Sequence, residues 1–234
     1  MPRLSKVETA IMVMIYMMIL NKDTTSIRYQ PYTTSNNAIP DYSFRNCQWL
    51  KSLAIPNSVY SIGAFAFSNC TSLFSMNIPQ GISEIGYSAF SNCSALTEIN
   101  VADENADYCS LDGVLFDKER KTLIQYPIGN SRTSYSVNDS IHTLGLSSFS
   151  NCQNLTSIIF GNGLQQIRSA SFKGCFHLSE IYSKADNPPT LEVFNNIGAF
   201  DGVRISLVQL HVPYGKKSEY QLVGGWRNFK NIID

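Results

Sequence analysis

The feature that most constrains the fold of this 234-residue chain is a sequence repeat. Copies of the word Phe-Ser-Asn-Cys, verbatim or nearly so, stand at 44–47, 67–70, 90–93, 149–152 and 172–175. Neighbouring copies keep one fixed spacing, except for a longer gap between Cys93 and Cys152. A unit this short cannot bury its own apolar face, so the units must stack on one another to form a core. The repeat therefore predicts an array of similar stacked circuits.

The apolar spacing within one repeat predicts the course of a circuit. Leu53 and Ile55 alternate with other residues as in a strand, and Pro56 ends the strand because it has no N–H for a ladder. Val59 and Ile62 then face inward from a return segment, and an Asn or Gly before each repeat Cys suits the left-handed backbone that closes a helical turn. A period of 20–29 residues is typical of leucine-rich repeats. The predicted fold class is α/β: a right-handed leucine-rich-repeat solenoid, strand-rich with short helical turns and a period of about 23 residues.

The five repeat cysteines raise three interpretations: a metal site, a disulfide ladder or a packed column. Zinc ligands converge on one point, which a periodic ladder does not do. Stacked neighbours would lie about 5 Å apart, so distance alone does not exclude disulfides, although each inner Cys would have two equivalent neighbours. A degenerate sixth copy has Val203 in the Cys place, which favours packing because a buried free Cys behaves as a small hydrophobe. Cys109 lies outside the ladder without a predicted partner.

The N-terminal segment, residues 1–38, does not follow the repeat. Arg3 and Lys6 precede an apolar run at 10–20, which is too short to span a bilayer as a helix because about 20 residues are needed. A basic flank and a short apolar run suit a secretory signal. The same run could instead form a helix that covers the first repeat. Both interpretations of this segment, signal-like or capping, stay open, and no transmembrane span is predicted.

We predict that the solenoid covers residues 39–234 and is interrupted once. The longer gap between Cys93 and Cys152 holds an insertion at about 102–137, in which two strand-like runs flank a charged turn and predict a β-hairpin at 112–126. An element that adds nothing to the repeat's core is a candidate for recognition. The candidate recognition hairpin has at its tip Asp117, Lys118, Glu119, Arg120 and Lys121.

An open ladder exposes its last strand, so we expect a C-terminal cap at about 207–234. Leu210 and Val212 are expected to be the last inward strand pair. The open side of that pair is expected to be covered by Tyr220, Trp226 and Phe229.

The repeat pattern Ala-Phe-x-x-Cys-x-x-Leu-x-x-Ile-x-Ile-Pro-x-x-Val-x-x-Ile-Gly resembles the BspA-like leucine-rich repeats of bacterial surface proteins. The segment 112–127 resembles the interrupted repeat of that family, and the tail resembles its terminal cap. The resemblance covers about 39–234. It implies a cell-surface or extracellular location and a ligand-binding or adhesive role without catalysis, and it supplies no set of functional residues.

Motifs for other chemistry are missing from the sequence. His142, His177 and His211 stand in different circuits without metal-ligand spacing, and no Gly-x-Ser-x-Gly occurs. Charged residues make up 15% of the chain and balance to zero, which gives no sign of the basic stripe of a nucleic-acid-binding protein. We therefore predict no catalytic, cofactor-binding or metal-ligating residues.

The remaining class is binding of another protein, such as a host or neighbouring-cell surface protein or a matrix protein. Outward side chains of the predicted strands form two columns with aromatic residues beside them. These columns are a solvated sheet face or a partner surface, since exposed aromatic residues are typical anchors of interfaces. An architectural spacer without a ligand is one alternative function, and an enzyme with a site at 102–137 is another. The candidate protein-binding face consists of Trp49, Ser52, Ala54, Phe74, Asn77, Glu98, Asn100, Ser157, Ile159, Glu180 and Tyr182.

Overall fold

The computed structural model describes residues 27–28 and 37–234, which form a strand-rich solenoid with a period of about 23 residues. The N-terminal segment, for which the sequence allows a secretory signal or a capping helix, lies outside the described residues apart from 27–28 and 37–38. Strand β1 (Ile27–Arg28) pairs in parallel with β3 (Leu53–Ala54). None of the helices in the described part of the chain has the length and apolar character needed to cross a membrane.

One side of the solenoid is a ladder of parallel strands, and we call its outward-facing residues the strand face. Within most of its strands, buried residues alternate with more exposed ones, as in Ser75–Ile78. Met76 lies opposite Ile99, and Ile158 lies opposite Ile181, so equivalent positions of successive repeats are neighbours. After β3, this ladder contains β5 (Ser75–Ile78), β7 (Glu98–Val101), β11 (Ser134–Ser136), β13 (Ser157–Phe160), β15 (Glu180–Ser183), β19 (Gln209–His211) and β20 (Asn231–Ile233).

The return segments form a second ladder of short parallel strands. Ile62 and Ile85 pair at the repeat offset, and both contact the apolar interior. The pairing continues on the far side of the interrupted repeat, where Leu144 lies opposite Ile167. The return strands are β2 (Ala38–Ile39), β4 (Ser61–Ile62), β6 (Glu84–Ile85), β10 (Thr122–Gln125), β12 (Thr143–Leu144), β14 (Gln166–Ile167) and β16 (Thr190–Leu191).

Each corner is a hydrogen-bonded turn with two left-handed residues. The Asn before the Cys has a positive φ, between 59° and 65°, at Asn46, Asn69, Asn92 and Asn151, as the sequence predicts. A second left-handed residue stands four positions earlier in each corner and was not predicted, because it is Tyr42, Phe65, Ser88, Ser147 or Ala170. No common side-chain type marks that position, so the sequence pattern does not reveal it.

The five repeat cysteines are buried and free, which agrees with the packing interpretation. The thiol of Cys93 donates a hydrogen bond to the carbonyl of Phe67 at 3.1 Å, and that of Cys175 donates to Phe149 at 3.0 Å. Burial raises the pKa of Cys47 to about 11 and that of Cys93 to about 12. Cys47 and Cys93 are therefore protonated components of the core at neutral pH.

The interrupted repeat is an antiparallel three-stranded unit of β8 (Tyr108–Leu111), β9 (Val114–Asp117) and β10. The β9–β10 hairpin agrees with the sequence pattern, whereas β8 was not predicted. Val114 and Phe116 pack in a C-terminal core with the later circuits, and Leu115 between them packs in an N-terminal core with the earlier ones. The expectation that this element adds nothing to the core is therefore wrong, because alternate side chains of β9 fill two cores.

Regular stacking has resumed before β12. The ring of Tyr126 stacks on that of Phe149 with centroids 5.0 Å apart, where the other circuits stack Phe on Phe. Strand β11 then pairs with β13 at the repeat offset, with Tyr135 opposite Ile158. Tyr126 therefore occupies the corner-Phe position of its circuit, and the regular repeat begins again at this residue.

The C-terminal part of the chain contains a hairpin of β17 (Val193–Phe194) and β18 (Ile197–Gly198), helix α1 (Lys217–Leu222) and a 3₁₀ turn (Trp226–Asn228). Tyr220, Trp226 and Phe229 are buried, as predicted. The indole N–H of Trp226 donates to the carbonyl of Pro189 at 2.6 Å. The expectation that Leu210 and Val212 form the last strand pair is wrong, because β20 adds one more strand to the ladder.

Candidate functional site

The structure brings the predicted strand-face residues together in two separate groups. In the first group, Asn77 lies opposite Asn100 on β5 and β7. In the second, Ser157 lies opposite Glu180, and Ile159 opposite Tyr182, on β13 and β15. The two groups belong to different sheets, because β7 is not hydrogen-bonded to β11, and Ala54 of the first group lies on β3 in a third sheet. The predicted face is therefore divided at the interrupted repeat.

The first group is well exposed. The side chains of Ala54, Asn77, Glu98 and Asn100 are exposed, while Ser52 is half-buried. Two aromatic residues beside the columns, at the turns that lead into β3 and β5, add apolar surface: Trp49 is 38% exposed and Phe74 is 51% exposed. Nothing in the stacking of the circuits requires an aromatic ring at either position.

The second group, which includes Tyr182, is half-buried. The Tyr182 ring stacks on His211, with centroids 4.2 Å apart and an interplanar angle of 11°. Its hydroxyl donates a hydrogen bond to the carboxylate of Glu180, and this bond raises the pKa of Tyr182. Tyr182 is thus held in one orientation by its neighbours on the sheet.

Six further residues belong to the same columns and were missed from the sequence. The registers of β11, β19 and β20 add Ser134, Ser136, Gln209, His211, Asn231 and Ile233. Extending the columns by the repeat offset would have found the first two. The others follow the extra β17–β18 hairpin, which lengthens the offset between β15 and β19 beyond one regular repeat, so that Glu180 pairs with Gln209.

Some side chains at the tip of the predicted recognition hairpin form hydrogen bonds within the protein and are not free to contact a partner. The carboxylate of Asp117 accepts hydrogen bonds from the N–H groups of Lys121 and Thr122 at 2.7 and 3.0 Å. The ammonium group of Lys118 donates to the carbonyls of Asp103 and Asn105 at 3.1 and 2.5 Å. Of the other tip residues, Glu119 and Arg120 are exposed charged side chains, and Lys121 is half-buried.

The sequence also leaves open an enzyme site in the interrupted repeat, around Tyr108 and Cys109. The Tyr108 hydroxyl instead accepts the N–H of Ile85 at 3.0 Å, which continues the hydrogen bonding of β6. The thiol of Cys109 donates to the carbonyl of Asp117 at 3.2 Å. Among residues 27–28 and 37–234, no group of three or more His, Cys, Asp or Glu side chains is placed to hold a metal ion.

Comparison with known proteins places this arrangement among bacterial leucine-rich repeats. Residues 22–123 and 124–201 match the sequence model of the BspA type leucine rich repeat region, in six copies. No curated protein sequence gives a match.

Solved structures that share the fold include the following two. One is the pneumococcal vaccine antigen PcpA, with a TM-score of 0.56 and 19% identity over 84% of this chain. The other is a leucine rich cell surface protein from Faecalibacterium prausnitzii A2-165, with a TM-score of 0.59 and 22% identity over 89% of this chain. The present chain spans 66% and 59% of those two chains.

Proposed function

Because the chain belongs to the BspA-type leucine-rich repeat family, we propose that it is a non-catalytic protein of the cell surface or the extracellular space that binds another protein. The location is supported by the Faecalibacterium structure, which is described as a cell surface protein. The binding site in this proposal is the strand face, with the tip of the β9–β10 hairpin beside it.

The observation that carries the proposal is the composition of the strand face. Its columns hold Ser, Asn, Gln, Tyr and His, together with two isoleucines, an alanine and two glutamates, and Trp49 and Phe74 project beside them. Tyr, Ser and Asn also dominate antibody paratopes, where rigid aromatic rings supply contact area and small polar groups supply adaptable hydrogen bonds. Trp49 and Phe74 are the candidate anchors, since aromatic residues are enriched at interface cores.

The charge of the face indicates the kind of partner. Glu98 and Glu180 are the charged residues in the columns, which contain no Lys or Arg. A partner surface that is neutral or basic therefore complements this face better than an acidic one. Glu119 and Arg120 at the hairpin tip carry opposite charges and would influence encounter and specificity more than affinity.

The test is binding of the full-length chain to a panel of extracellular-matrix and host-surface proteins, followed by alanine substitution. Phe74→Ala and Trp49→Ala should each weaken a detected complex about tenfold or more, because buried aromatic anchors carry a large share of binding energy. Ser61→Ala, on return strand β4, is the matched control and should leave affinity unchanged.

Two results would contradict the proposal. If Ser61→Ala weakened the complex while Phe74→Ala and Trp49→Ala did not, the binding surface would lie on another side of the solenoid. If no member of the panel were retained at micromolar concentration, the architectural spacer would be the better interpretation.

A further inference from the structure

Among the described residues, the strand ladder is interrupted between β3 and β5 and again between β7 and β11, and the second break lies at the interrupted repeat. Strand β7 ends the sheet it forms with β5, and β11 begins the sheet that continues through β13, β15, β19 and β20. At this break, N–H groups of β7 donate hydrogen bonds to residues of the β8–β9 hairpin. The N–H of Ile99 donates to the carbonyl of Gly113 at 2.8 Å, and the N–H of Val101 donates to the hydroxyl of Ser110 at 3.0 Å. The N–H groups of Ile99 and Val101 at this edge of β7 are therefore paired within the chain.

The edge of β11 is different. Val137 donates its N–H to Ile159, and Thr133 accepts from Ser157, so these odd-numbered residues of the segment bond towards β13. In a strand, the N–H and C=O of successive residues point to opposite sides. Those of Ser134 and Ser136 therefore point into the break, where β11 has no partner strand among the described residues.

The side chains around this edge indicate what it could contact. The side chains of Ser134 and Ser136 are small and exposed. Leu111 is 48% exposed on the β8–β9 turn that borders the break, and offers apolar contact. Asp112 on that turn and Arg132 before β11 both act electrostatically on Tyr135, so charges of opposite sign flank the edge.

We propose that the free edge of β11 is a docking site for an extended peptide segment of the partner protein, which would add a strand to the ladder at the break. Unpaired N–H and C=O groups on a strand edge are a template for a further strand, and this mode of recognition recurs among peptide-binding domains. Alternate side chains of the added strand would contact Leu111, because side chains alternate between the faces of a strand. This inference rests on the proposed protein-binding function and locates it at one edge.

The probe is a displayed library of short linear peptides selected against the full-length chain. Ser136→Pro removes one N–H that points into the break and spares the bonds to β13, and proline is tolerated on edge strands. Selected peptides should bind this variant about tenfold more weakly. Ser136→Ala keeps the N–H and should bind them as the wild type does. Ser134→Pro gives a second variant if Ser136→Pro unfolds the chain.

Amide hydrogen exchange supplies a readout that does not depend on a variant. In the free protein, Ser134 and Ser136 should exchange faster than Tyr135 and Val137, and a bound peptide should protect both serines. Peptides that bind Ser136→Pro and Ser134→Pro at wild-type strength, or that leave the two serine amides unprotected, would overturn the docking site. So would a library that yields no binder. In each case, a protein partner that still depends on Phe74 would leave the proposed function intact.

Discussion

The circuits before and after the interrupted repeat obey the same inward pattern and differ in what they present to solvent. Before it, the strand face is polar and exposed around Asn77 and Asn100. After it, the middle of the corresponding column holds Ile159, Tyr182 and His211, which are half-buried, while Ser136 and Ile233 at its two ends are exposed. Stacking fixes the type of the inward residues, because each must fill the same space as its neighbours. Outward residues are free of that constraint, so the two regions can serve different contacts.

The two regions are nevertheless connected through their cores. Leu115 on β9 packs in the N-terminal core, and its neighbours Val114 and Phe116 pack in the C-terminal core. A strand with one inward face would serve one core. Because β9 is buried on both faces, the interrupted repeat joins the two regions, and we expect them to unfold together.

The largest expected effect tests that connection. Leu115→Ala opens a cavity in the N-terminal core, and Phe116→Ala opens one in the C-terminal core. Each should cost about 2–5 kcal/mol in the free energy of unfolding. In urea unfolding followed by tryptophan fluorescence and circular dichroism, both should shift one common transition. Glu119→Ala, at the exposed tip of the same hairpin, should change stability by less than about 0.5 kcal/mol. Two separate transitions, each moved by only one of the core variants, would show that the regions are independent.

The next effect concerns Tyr126, which stands where the circuits of the first region have Phe67 and Phe90. Its hydroxyl is buried and has no hydrogen-bond partner among the described residues. An unsatisfied buried hydroxyl costs about 1–3 kcal/mol, so Tyr126→Phe should stabilise the protein by up to that amount. Phe149→Tyr, the reverse change one circuit later, should destabilise it. A loss of stability in Tyr126→Phe would indicate that a bound water satisfies the hydroxyl.

A third effect compares the cysteines of the two regions at alkaline pH. Burial raises the pKa of Cys93 from 9.0 to about 12, and it also raises the pKa of Cys152. Between the unfolded pKa of 9.0 and the folded pKa of about 12, the Cys93 thiol ionises in the unfolded protein and stays protonated in the folded one. Stability is therefore fully present below the unfolded pKa and falls above it, by at most about 1.4 kcal/mol per pH unit for each thiol.

Unfolding under reducing conditions at pH 8 and pH 10 measures this loss. Cys93→Ala and Cys152→Ala should each reduce the loss relative to the wild type, because each removes one buried thiol. Equal losses in all three proteins would mean that these thiols ionise as readily in the folded state as in the unfolded one.

The smallest effect uses a position that is Ala in some circuits and Ser in others. The residue before the corner Phe is Ala66 and Ala89 in two circuits of the first region and Ser148 and Ser171 in two circuits of the second, and the outermost copies reverse this with Ser43 and Ala199. The buried hydroxyl of Ser148 has no partner among the described residues, whereas that of Ser171 donates to the carbonyl of Gly145 at 2.9 Å. Ser148→Ala should stabilise the protein by about 1 kcal/mol and Ser171→Ala should destabilise it by a similar amount, as thermal melting would show. The same sign for both changes would contradict the assignment of these bonds.

Much of the candidate site follows from the repeat once one strand has been placed. The regular offset puts Asn77 beside Asn100 and Ser157 beside Glu180, and the structure has these pairs. The burial of Tyr182 was not predictable, because it depends on His211, which lies beyond an added hairpin and outside the regular offset. The division of the face was not predictable either, because it depends on a contact outside the regular offset, in which Gly113 accepts a hydrogen bond from Ile99 of β7.

The sequence by itself determined the ladder, the Asn corners, the packed cysteines and the family. Stacking requires a similar inward residue in every circuit, and this requirement appears in the sequence as a fixed period. Only the tertiary structure decided what happens where the period fails. Strand β9 fills two cores, β20 adds a strand beyond Val212, and the edge of β11 has no partner strand among the described residues. Each of these features depends on contacts between residues that are not separated by the repeat offset. A periodic sequence pattern therefore does not predict them.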